Sequence, residues 1–232
     1  MNKKKIGLTV GTREPLRLEL RRHLHKGGLF KHPLVVHFVH DMEDCGQIHQ
    51  WIDHKQRDIQ KCIQQGAWSQ FLWLHERWYR FQALYEHAEC MDDKTFWRCF
   101  GDVWHDCEDI RGNRWIYRRL LGQKRPQREQ MMSKAEQRAL QQLPETIKIY
   151  RGCSYPNAKK GWSWTFSLHH AKWFAKRFDM LSGSPATVAV GEARKKDVLA
   201  LLKRGDGGTV VIDPSKVVIT KRFREKGTKS MQ

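Results

Sequence analysis

The feature that most constrains this chain is a change of periodicity at Pro144. Over residues 47–143 apolar side chains recur every three or four positions, the spacing that lines one face of an α-helix. Beyond Pro144 they alternate. In Thr146-Ile-Lys-Ile-Tyr150 the period of two sets Ile147 and Ile149 on one side of a strand. The chain therefore reads as α+β, with a helical, aromatic-rich N-terminal region at 1–143 packed on a strand-rich core at 144–222. A basic tail at 223–232 has little to bury and is expected to fray. A chain of 232 residues is long enough for one or two such units.

Three helical stripes stand out: Ile48, Trp51, Ile52, Ile59 and Ile63; Trp68, Phe71, Leu72, Trp78, Phe81 and Tyr85; Phe96, Trp97, Phe100, Val103, Trp104 and Cys107. Each can cover the same core. Seven tryptophans fall in this region (Trp51, Trp68, Trp73, Trp78, Trp97, Trp104 and Trp115) and are expected to be core, with base stacking as the sharper alternative. Asp92-Asp93 reads as a helix start, and Ser133-Lys-Ala-Glu136 as a capping box opening a short helix that ends by Pro144. The polar stretch 123–129, with Pro126, reads as a linker or exposed loop. Ser167 is placed to cap a helix that buries Ala171, Phe174, Ala175 and Phe178. Strands return at Thr187-Val-Ala-Val190, Thr209-Val-Val-Ile212 and Lys216-Val-Val-Ile-Thr220, with Asp213-Pro214 as a turn.

Charge narrows the partner. Lys and Arg total 43 against 25 Asp and Glu, a formal net charge of +18, which favours nucleic acid over a neutral partner. Solvated surface is the plain alternative, and an acidic protein face a third. Six cysteines without a C-x-x-C pair argue against a zinc ribbon or redox motif and read as reduced, mostly buried thiols. His37 and His40 lack a third ligand, so no metal site is expected. The basic N-terminus has no apolar stretch behind it, because Arg13, Glu14 and Arg17 interrupt it, and no run approaches a membrane span. A cytoplasmic protein without membrane attachment is expected.

Three motifs then occur in a telling order: Tyr150-Arg151-Gly152 ending a strand, Gly161-Trp162-Ser163-Trp164-Thr165 before a helix, and a strand ending in Ile212-Asp213-Pro214. With the Ala171-x-x-Phe174-Ala175 helix after the serine, the set resembles the Arg-Ser-Glu class of mono-ADP-ribosyltransferases. Upstream, Phe96-Trp97, Trp104-His-Asp-Cys-Glu108-Asp109, Asn113 and Leu143-Pro144 look like the helical lead-in of bacterial and phage members. The resemblance spans roughly 95–220 and leaves the first 90 residues unaccounted for. It implies a split β-sheet core that binds NAD as co-substrate and uses no metal. By position, Tyr150, Arg151, Gly152, Ser163, Trp164 and Thr165 would bind NAD, with Arg151 and Ser163 in the catalytic set.

The chemistry fits those residue types. A guanidinium on a rigid strand engages pyrophosphate oxygens in a fork that Lys does not reproduce. Gly152 is expected to let the ligand approach the backbone. The family serine, matched by Ser163, holds the nicotinamide-side ribose. Loss of nicotinamide leaves positive charge on the ribose, which a nearby carboxylate stabilises in the transition state. Here the pattern departs. Relatives place Glu just before the Val-Val-Val-Asp-Pro strand, whereas this chain has Gly208 and Thr209 there and offers Asp206 two or three residues earlier. Asp206 is the catalytic candidate, one methylene shorter. Three readings stay open: a rearranged active site, a natural loss of activity, or a chain altered to silence a harmful enzyme. Glu192 reads as a surface or structural carboxylate, and Glu108 and Asp109 as structural support.

The acceptor follows from charge, with basic groups at 3–5, 21–26, 118–119, 124–128, 194–196 and 221–226. Single-stranded RNA is expected first, because a duplex base must be unstacked before it reacts. The chain resembles toxin-type transferases that modify messenger RNA and are neutralised by an antitoxin in phage-defence systems. The alternatives are a protein-directed mono-ADP-ribosyltransferase and an inactive nucleic-acid-binding module of the same fold.

Overall fold

The computed structural model describes residues 13–107, 113–154, 161–182, 186–203 and 208–224. They form a mixed α and β structure with small antiparallel sheets. The chain divides into two units, Met1–Met91 with Asp109–Leu121, and Asp92–Glu108 with Gly122–Gln232.

The first unit holds strands β1 (Leu29–His32) and β2 (Val35–Phe38) and helices α1 (Gly46–Gln65), α2 (Trp68–Leu74) and α3 (Arg80–Glu86). After α4 (Asp93–Asp106), which belongs to the second unit, comes α5 (Arg114–Gly122). The hairpin β1–β2 lies in a region expected to be helical. Its two strands are only four residues each, too short for alternation to stand out, and Leu29 pairs with Phe38 across the turn. Leu16, Leu20, Phe30, Leu34, Val35, Cys45, Ile48 and Ile52 form one core cluster in this unit. Gly66 ends α1 in a left-handed conformation, φ +65°, that favours glycine.

Four of the seven tryptophans expected to be core are not. Trp68, Trp97 and Trp104 are buried, but Trp51, Trp73, Trp78 and Trp115 are 39, 42, 37 and 56 % exposed. The physical reason is helix phase. In α5 the buried face is Ile116, Tyr117, Leu120 and Leu121, and Trp115 falls on the opposite side with Arg118 and Arg119.

The second unit continues with α6 (Lys134–Gln141), β3 (Thr146–Ser154), β4 (Ser163–Trp164), α7 (Leu168–Ser182), β5 (Ala186–Arg194), β6 (Val198–Leu202), β7 (Thr209–Ile212) and β8 (Val218–Arg224). Its six strands make two three-stranded sheets, ordered β3-β5-β8 and β4-β7-β6. A single bridge, Tyr150 to Thr165, links β3 to the residue following β4. Helix α7 covers the first sheet with Ala171 and Ala175, both fully buried, against Ala186 and Val188. Ser167 caps it, its hydroxyl accepting from the His170 N–H at 3.1 Å; the Phe178 side chain lies outside the described residues.

Two strands in this unit differ from the expectation, and one expected loop has an added role. Strand β6 was not foreseen, because Val-Leu-Ala-Leu-Leu is an unbroken apolar run rather than an alternating one. Strand β8 reaches Arg224, into the expected tail, because Phe223 packs on the Ala171, Ala175, Ala186 and Val188 cluster. The stretch 123–127 is an irregular, largely exposed loop, as expected, and it is also tied to α4. The Trp97 indole N–H donates to the Pro126 carbonyl at 2.7 Å, and Arg125 pairs with Asp93 at 2.6 Å while lying over the Phe96 ring. Helix α4 itself starts as expected, with the Asp92 carboxylate accepting from the Thr95 N–H.

The capping box forms as expected, and its glutamate does more. Glu136 is buried; one oxygen accepts from the Ser133 N–H at 2.7 Å and the other from the Lys203 N–H at 2.6 Å. A cap that is local in sequence thus also fastens the end of β6.

Candidate functional site

Of the expected site residues, Tyr150, Arg151, Gly152, Ser163, Trp164 and Thr165 lie where the two small sheets adjoin. Alternation along β3 sets Tyr150 and Gly152 toward α7 and sends Arg151 to the opposite face, the side of the fully buried Ile149. From there the Arg151 guanidinium donates to the Ser163 carbonyl at 2.6 Å. Gly161 makes room for it: a Cβ there would lie 1.8 Å from the Arg151 Cζ. Any side chain at 161 must displace the guanidinium.

The segment 161–165 is pinned along its length. The Trp164 indole N–H donates to the Gly161 carbonyl at 3.0 Å, and the Ile212 N–H donates to the Trp162 carbonyl at 3.0 Å. Thr165 exchanges both backbone bonds with Tyr150, at 2.7 and 2.9 Å, and its hydroxyl accepts from the Ser167 N–H at 3.1 Å. Trp164 is buried, with its ring tight against Gly191 of β5. Trp164 and Thr165 thus hold the wall in place, and Tyr150, Arg151 and Ser163 are half-buried.

Gly152 departs from its expected use. A Cβ there would fall 2.1 Å from the Ala171 carbonyl oxygen and 2.5 Å from the Ala175 nitrogen. The glycine admits the backbone of α7, and that face of the strand is closed to a ligand. Next to it, burial pushes the Cys153 thiol up, opposed by the nearby positive charge of Arg151.

Asp206, like Glu108 and Asp109, lies outside the described residues. The residues on either side of 204–207 are described. Lys203 ends one side on Glu136, and Gly208, at φ +50°, leads into β7 on the other. Ser163 pairs with Val211 across β4 and β7, so Thr209, two residues back, projects from the same face as Ser163. Position 209 is therefore where a strand-borne carboxylate would reach the Ser163 face. A side chain at 208 would add about 1–2 kcal/mol of backbone strain. Glu192 is exposed on β5 opposite Lys148, away from this arrangement in character and in register.

Glu136 is the functional-type residue that motif reading understated. Its capping role was legible from Ser133, but the bond to Lys203 spans 67 residues and leaves no local trace. No helix among the described residues is long and apolar enough to cross a membrane. Comparison with protein-family models, curated proteins and solved structures finds no match to this chain.

Proposed function

We propose that the second unit is an NAD-dependent mono-ADP-ribosyltransferase acting on RNA, as a toxin or phage-conflict effector held in check by a neutralising partner protein. The observation that carries the reading is the seam itself. Two three-stranded sheets adjoin at Tyr150 and Thr165, and the motif arginine of one grips the motif serine segment of the other. This supports the split-sheet core that the resemblance implies. The unit also begins at Asp92, close to where the resemblance begins in sequence.

In this reading the Arg151 guanidinium, its plane fixed by the Ser163 carbonyl, is oriented for the NAD pyrophosphate. The Ser163 hydroxyl holds the ribose. The bond from ribose C1′ to the nicotinamide nitrogen breaks and its electron pair leaves with nicotinamide. The acceptor atom bonds to C1′ and gives up its proton to water, and the Asp206 carboxylate offsets the positive charge that builds on the ribose between the two events.

The test is nicotinamide release from NAD by the full chain with total RNA present. Wild type is expected to release nicotinamide, Arg151→Ala to lose release, and Thr209→Glu, on the Ser163 face, to raise it. Intact NAD with both wild type and Thr209→Glu would overturn the proposal.

A further inference from the structure

The first unit leaves four indoles in solvent, and three of them are clustered with cations. The Arg80 Cζ lies 3.9 Å from the Trp73 ring centre, and the Lys31 Nζ 4.6 Å from that of Trp78. Trp115 meets Tyr85 edge-on at 5.3 Å, with the Arg119 Cζ 5.9 Å from the Tyr85 ring. The segments that carry these groups are neighbours. Trp78 and Arg80 share one turn, and the Asn113 side-chain amide donates to the Trp78 carbonyl at 3.1 Å, bringing the start of α5 to that turn. Two residues further on stands Trp115, which shares the outward face of α5 with the exposed Arg118 and Arg119.

Among the described residues, the acidic groups nearby have partners of their own, Asp58 beside Trp73 pairing with Lys61 and His54. Glu76 lies 3.9 Å from Lys55, and Glu86 accepts from the Gln82 amide at 2.7 Å and the Tyr79 hydroxyl at 3.4 Å. Described α5 carries no acid at all. An exposed indole is costly to leave in water, and three set among cations suit one chemistry: flat apolar faces linked by anions. We propose that this strip binds single-stranded RNA, its bases stacking on Trp73, Trp78 and Trp115 and its phosphates meeting Arg80, Arg118 and Arg119. A duplex hides its base faces, and an acidic peptide answers the cations but has nothing flat for the indoles. The choice of RNA rests on the transferase reading above; the stacking geometry does not.

Fluorescence anisotropy with a labelled 15-residue oligouridine and the full chain, without NAD, tests the inference. Because no NAD is present, a chain that binds but does not transfer sinks only the transferase. Wild type is expected to bind the single strand and to prefer it to duplex RNA. Trp73→Ala with Trp115→Ala should weaken binding roughly ten- to hundredfold, while Trp51→Ala, exposed beside His37, leaves it unchanged. Arg118→Glu with Arg119→Glu, at exposed positions, should weaken binding and flatten its salt dependence by about 1.4 in log–log slope. Absence of oligouridine binding by the wild type, equal affinity for duplex, or wild-type affinity in either double variant would overturn the proposal.

Discussion

Gly152→Ala separates two roles for the glycine beside the motif arginine. A methyl at 152 would sit 2.1 Å from the Ala171 carbonyl oxygen, 2.5 Å from the Ala175 nitrogen and 2.8 Å from the Phe174 Cβ. Ordinary contacts are about 3.5 Å or longer, so α7 must recede from β3 by about 1 Å. Two of the obstructing atoms are backbone, which no rotamer change relieves. Overpacking of this kind costs about 3 kcal/mol, against less than about 1 kcal/mol gained by burying the methyl. At about 2 kcal/mol per molar urea, the unfolding midpoint of the second unit should fall by about 1 M. Circular dichroism in urea reads this directly. Gly122→Ala, with nothing within 4 Å of its added methyl, is the matched control and should hold the wild-type midpoint. A wild-type midpoint for Gly152→Ala would refute the packing argument and return the glycine to ligand approach.

Glu136→Ala removes the acceptor of two backbone N–H groups, on Ser133 and Lys203, and should cost about 3 kcal/mol in the same urea titration. Gly161→Ala should instead leave the midpoint within about 1 kcal/mol of wild type, because the obstructing guanidinium is a flexible tip, yet abolish nicotinamide release by moving Arg151. Acid should weaken the first unit. Burial pushes His32 down to about 4, helped by His23 and Arg22, and its Nδ1 accepts from the Leu34 N–H at 3.1 Å. The unfolded chain takes up this proton below about pH 6.5 while the folded chain resists until about 4. The neutral histidine's stability is therefore complete above pH 6.5 and lost as pH falls through that window, by about 3 kcal/mol. His75, also lowered by burial, adds in the same direction. Thermal unfolding at pH 7 and pH 4.5 checks it, and His32→Gln should flatten the dependence.

Features that depend on neighbouring residues were legible in the sequence. The Ser133 and Glu136 box, the Asp92 and Ser167 caps and the strand at Thr209–Ile212 are each set by a few adjacent side chains. So were the two motifs: Arg151 and Ser163, twelve residues apart, do come together. What escaped depends on distant partners or on the phase of a short element. Strand β6 has no alternation because it pairs with a strand whose Val210, Val211 and Ile212 are fully buried. Pro126 rightly marked a loop, but the bond from Trp97, 29 residues earlier, to its carbonyl left no local trace. All seven tryptophans of 47–143 were expected to be core, and only the helix phase distinguishes Trp115 from Ile116. Gly152 looked like a ligand-approach glycine and instead admits a helix.

The central claim is transfer of ADP-ribose from NAD by the Arg151 and Ser163 seam, and the most direct measurement follows the adenylate label. The full chain is incubated with adenylate-labelled NAD, RNA and cell protein extract, and the label is traced to each fraction. The account expects label covalently held by RNA with wild type and none with Arg151→Ala. Label confined to protein would contradict the RNA acceptor, and unchanged NAD with no labelled fraction would contradict the transferase itself.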